Sequence, residues 1–64
     1  MTLEFIKDGA VIKRREDATI QPTLGMRLRM QGAGDMGMRP YMVIGLVYFP
    51  GGYEMLEVRV EESE

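Results

Sequence analysis

The chain has 64 residues, a net charge of −2, no cysteine and no histidine. These numbers allow one domain at most and exclude disulfides, thiolate zinc sites, and the commonest general base and transition-metal ligand. A domain of this size buries only about 60% of the surface its unfolded chain exposes, so oligomerisation is the obvious further source of stability.

"LEFIKDGAVIKRR" holds the first element pair. Asp8-Gly9 between apolar-rich segments predicts a type I′ turn, because both residues accept positive φ. A two-residue loop pairs Lys7 with Ala10, Ile6 with Val11, Phe5 with Ile12, Glu4 with Lys13 and Leu3 with Arg14. Leu3, Phe5 and Ile12 then share the core face. A Glu4–Lys13 charge pair supports this register.

Arg15 to Gly25 is polar and contains Pro22, which predicts a connection rather than a helix. "MRLRM" alternates with period two. Met26, Leu28 and Met30 face one way, and Arg27 and Arg29 the other, as in a half-buried strand.

Gly32, Gly34 and Gly37 then spell G-x-G-x-x-G, the glycine pattern of dinucleotide-binding loops. That pattern holds a pyrophosphate only when a helix starts directly after it. Here Pro40 and the β-run from Tyr41 come next, so the expectation is a strand-connecting loop with no nucleotide and no other cofactor. Asp35 has no acidic neighbours, which argues against calcium.

"YMVIGLVYFPGGYEMLEVRVEE" predicts a hairpin turning at Pro50-Gly51-Gly52. A three-residue loop pairs Tyr48 with Glu54, Leu46 with Leu56, Ile44 with Val58 and Met42 with Val60. This puts Met42, Ile44, Leu46, Leu56, Val58 and Val60 on the core face. A one-residue slip would set Ile44 against Glu57, so the odd loop is preferred. Tyr41, Val43, Val47, Phe49, Tyr53 and Met55 share the outer face. Gly45 marks a bend or a close backbone approach.

Five strands, near Leu3–Lys7, Ala10–Arg14, Met26–Met30, Tyr41–Phe49 and Tyr53–Glu61, predict an all-β fold. The expectation is a small five-stranded antiparallel barrel over residues 1–61, SH3-like, with an OB-like barrel or an open twisted sheet as the alternative. Residues 62–64 form an acidic tail. The longest apolar run, Tyr41 to Phe49, is far short of the about 20 residues a membrane helix needs. With no stretch resembling a signal peptide, a soluble cytoplasmic protein is expected.

Catalysis would rest on carboxylates, lysines and tyrosines without a histidine, in a fold with little room for a cleft, so the expectation is a non-enzymatic protein with no catalytic or metal site. The outer face of the last hairpin is apolar and needs cover from the chain's own long loops, a second copy or a protein partner. The expected contact residues are Tyr41, Val47, Phe49, Tyr53 and Met55, with Met36, Met38 and Arg39 from the loop. Charge supplies a second reading. From Lys7 to Arg39 there are seven bases and four acids, and from Pro40 to Glu64 one arginine and five glutamates. Arg27, Arg29 and Arg39 would form a basic strip for nucleic acid. Against it, the chain is acidic and no aromatic residue alternates with these arginines.

Overall fold

The computed structural model describes residues 1–31 and 37–63. The strands are β1 (Thr2–Lys7), β2 (Ala10–Arg15), β3 (Arg27–Gln31), β4 (Met38–Pro50) and β5 (Glu54–Glu62). They form one sheet in the order β2-β1-β5-β4-β3, strongly curled into a half-barrel. The sheet is mixed, which corrects the antiparallel expectation: β1 and β5 run parallel, from Thr2↔Met55 to Ile6↔Arg59. Alternation along isolated strands shows which face is buried. It carries no record of which strands from opposite ends of the chain lie side by side. Among the described residues no helix is long and apolar enough to cross a membrane.

The Asp8-Gly9 turn forms as its residue types dictate, with φ of 51° and 80°, and it pairs Lys7 with Ala10 and Ile6 with Val11. Beyond that the register shifts. Phe5 pairs with Lys13, Glu4 with Arg14 and Leu3 with Arg15, with Ile12 left as the extra residue of a bulge. A bulge sharpens strand twist, which a sheet this small needs in order to curl. It removes the expected Glu4–Lys13 pair and carries Lys13 and Arg15 to the face of Phe5 and Leu3.

The last hairpin behaves in the same way. Its loop is three residues, but the pairing is Pro50↔Glu54, Tyr48↔Leu56 and Leu46↔Val58, two residues along from the expected register. A bulge between Val43 and Gly45 then resets the strand, so that Val43 pairs with Val60 and Tyr41 with Glu62. Before the bulge the odd residues of β4 face inward, and after it the even ones do. Tyr41 and Val43, expected outside, are therefore buried at 2% and 1% exposure, while Ile44, expected inside, is 51% exposed. Met42 is likewise displaced to the convex side, opposite Arg27 and Glu61.

The core consists of Leu3, Phe5, Met30, Tyr41, Val43, Leu56, Val58 and Val60. Ile12, Ala18, Met26, Leu28 and Leu46 pack against it half-buried. Among the described residues no buried side-chain nitrogen or oxygen lacks a hydrogen-bond partner. The connection from β2 to β3 crosses the open, concave side. Ala18 donates to the carbonyl of Met1 at 3.0 Å, Pro22 is buried, and Gly25 donates to the carbonyl of Val43 at 2.9 Å. At the far end, Glu62 belongs to β5 and Ser63 donates to the carbonyl of Pro40 at 3.1 Å, so the expected tail is held over these two residues.

Candidate functional site

Two features of the half-barrel are open to partners. The first is the arm formed by the second half of β4 and the start of β5. β3 reaches only to the Arg27↔Met42 pair, with Met26 and Val43 adding a backbone hydrogen bond at 2.9 Å. From Ile44 to Pro50, β5 is the only strand paired with β4 among the described residues. Among the described residues the other side of this stretch is a free strand edge, and the stretch carries no charged residue. The outer strands β2 and β3 are different: Lys13, Arg14 and Arg15 stud one, and Arg27 and Arg29 the other. Charges on an edge deter pairing with another chain, and their absence invites it.

On the convex side of this arm, Val47 and Phe49 stand opposite Glu57 and Met55. Phe49 is 42% exposed and Tyr53, in the turn, 82%. Met55 is half-buried, against Thr2 of β1. Arg59 lies across Gly45, and a Cβ built there would sit 3.4 Å from its stem. The Nε–H of Arg59 donates to Glu57 at 3.0 Å, which closes the apolar patch with an ion pair. On the concave side the Tyr48 hydroxyl donates to Glu54 at 2.7 Å. That hydrogen bond, with smaller contributions from desolvation and from the Glu54 charge, raises the Tyr48 pKa above its ordinary 10.0.

Of the residues expected to make contacts, Val47, Phe49, Tyr53 and Met55 are brought together here. Tyr41 is not; the bulge turns it into the core. Met38 is exposed at the start of β4, at the other end of the strand. Met36 lies outside the described residues, as do Gly32, Gly34 and Asp35 of the glycine pattern. Gly37 leads directly into a strand, β4, and not into a helix. The connection that could have covered the outer face lies on the concave side instead. Tyr48 and Ile44 add exposed apolar surface to the arm that strict alternation did not assign there.

The basic strip is split. Arg27 and Arg29 stand opposite Met42 and Pro40, whereas Arg39 stands opposite Met30. Successive residues alternate faces, so Arg39 leaves the side of the other two. Its Nη1 donates to Glu62 at 3.0 Å.

The second open feature is a cavity of about 420 Å³ on the concave side, between β2, the β2–β3 connection and β3. Leu3, Phe5, Met26, Leu28 and Met30 supply its apolar wall, and Lys13, Arg15 and Arg29 border it. Lys13 was expected to pair with Glu4, Arg15 to lie in the polar connection and Arg29 to belong to the basic strip; the bulge at Ile12 is what brings Lys13 and Arg15 here.

No family model, curated protein or solved structure matches the chain.

Proposed function

We propose that this protein works by binding, not by catalysis, and that the arm of the last hairpin is its contact surface. A second copy of the chain is the first partner. The observation that carries this reading is the coincidence of two features on one segment. Among the described residues the β4 stretch Ile44–Pro50 has a free, uncharged edge, and Val47, Phe49 and Tyr53 are exposed apolar residues of the arm, with the half-buried Met55 opposite Phe49. An edge of this kind pairs with another strand through backbone hydrogen bonds, and the side chains set specificity. Two copies meeting edge to edge would continue the sheet across a two-fold axis, the commonest symmetry of small oligomers. The curled sheet is a small all-β, barrel-like fold, but fold alone does not fix function, and the reading rests on the arm.

The test is molar mass by light scattering after size exclusion, with amide hydrogen exchange alongside. Self-pairing predicts twice the 7.3 kDa of one chain and slow exchange at the Leu46–Phe49 edge. Changing Phe49 and Tyr53 to serine should return the mass towards one chain. A wild-type monomer with rapidly exchanging edge amides would refute self-pairing.

A further inference from the structure

The concave cavity is separate from the arm, and its charge pattern is unusual for this chain. The protein has ten acidic residues against eight basic ones. Yet among the described residues the cavity is lined by no carboxylate, and two cations, Lys13 and Arg15, stand on its own face of the sheet, while Arg29 touches its rim from a strand position that alternates to the other face. Lys13 and Arg15 stand directly across from Phe5 and Leu3, on the core face of an outer strand. Neither makes an ion pair among the described residues. The nearest acid along the chain, Glu16, is engaged by Arg14 at 3.8 Å. The stems of such cations cover apolar surface while their heads seek an anion or water. The opposite wall takes its apolar surface from Met26, Leu28 and Met30, with Arg29 and Gln31 at its margin, and the exposed side chain of Ile20 adds to the lining.

We propose that this cavity binds a small amphipathic anion, namely a monomeric medium-chain acyl carboxylate. Its chain lies against Phe5, Leu28 and Met30, and its carboxylate is held by Lys13 and Arg15. The volume is within the range of about 300–1,000 Å³ usual for small-molecule sites, and an apolar wall with a few convergent polar groups is their usual make-up. Arginine matches a carboxylate through two parallel hydrogen bonds. A sixth strand is a poorer occupant, because the Ala18–Pro22 stretch already crosses the opening and lines what remains.

The test uses decanoate below its micelle concentration, with decanol and decylamine as controls, by titration calorimetry and backbone chemical-shift mapping. The expected result is one decanoate per chain, binding about tenfold or more tighter than decanol because a charged hydrogen bond is gained. Decylamine should not bind. Shifts should concentrate at Phe5, Leu28 and Met30. The double variant Lys13→Gln/Arg15→Gln, checked for fold by the same spectra, should lower decanoate affinity to that of decanol and leave decanol unchanged. Equal affinity for decanoate and decanol would overturn the proposal. So would shifts confined to Val47 and Phe49, or association only with anionic phospholipid vesicles.

Discussion

The bulge in β4 decides which of two adjacent side chains holds the core together, and alanine substitutions at Val43 and Ile44 measure it. Val43 is 1% exposed, and truncation to alanine removes two carbons from a filled site. Each lost carbon costs about 0.8 kcal/mol in transfer, and the space left behind adds a comparable cavity term, for about 2–3 kcal/mol in all. Ile44 is 51% exposed, so truncation removes three carbons that already lie half in water and leaves no cavity. Its cost is about 1 kcal/mol. The smaller truncation is thus the more damaging one. Urea unfolding at fixed protein concentration reads the difference. With a slope of about 1 kcal/mol per molar for a chain this small, Val43→Ala lowers the midpoint by about 2–3 M and Ile44→Ala by about 1 M. An Ile44→Ala cost equal to or above that of Val43→Ala would rule out the bulge, since an unbulged strand would put Ile44 inside.

Three further outcomes concern the backbone and the arm. Gly9 has φ of +80° and open space around its Cα, so Gly9→Ala should destabilise by about 1 kcal/mol through backbone strain alone, read as a fall of about 4–8 °C in Tm. Gly45→Ala should be neutral, or stabilising by about 0.5–1 kcal/mol, because its Cβ would meet the Arg59 side chain at 3.4 Å, an ordinary contact distance, and its φ is not positive; a loss of similar size in the melting curve would show that the bulge needs glycine. The Tyr48 phenol has a raised pKa in the folded state, which therefore holds the proton more tightly than the unfolded chain does. Its contribution is present below the ordinary 10.0 and lost as pH rises through the folded value. Wild type should accordingly lose more stability than Tyr48→Phe between about pH 9 and pH 11 in the same urea assay; parallel losses would show that the Glu54 bond does not matter.

Much of the fold was legible. The Asp8-Gly9 turn, the alternation of Met26, Leu28 and Met30 against two arginines, and the odd loop near Gly51 each carry their own local signal. What stayed hidden was long-range or needed one extra residue. Ile12 does not differ chemically from an ordinary strand residue, so nothing local marks its bulge; beside Ile44, Gly45 signals a bend or close approach but not the extra residue that shifts the register. Each bulge inverts the faces of everything beyond it. That is why Tyr41 was read as surface, and why Lys13 was read as the partner of Glu4. Val47, Phe49 and Met55 lie on the turn side of the β4 bulge, where parity holds, so their shared outer face was legible. Lys13 and Arg15 lie beyond the β2 bulge, so their place on the face of Phe5 and Leu3 was not legible.

The parallel pairing of β1 with β5 has a consequence for how the chain reaches this state. The two hairpins are local and can close on their own within microseconds. The ladder that joins them brings Thr2 beside Met55, so all the chain between these two residues must be looped before the first of its hydrogen bonds forms. Chains dominated by such distant contacts fold in milliseconds to seconds, far more slowly than their length suggests. On the ribosome, β1 and β2 emerge early and wait. Until Met55 to Arg59 follow, Leu3 and Phe5 have no neighbour on their inner flank, and the nascent chain is most open to misassociation in that interval.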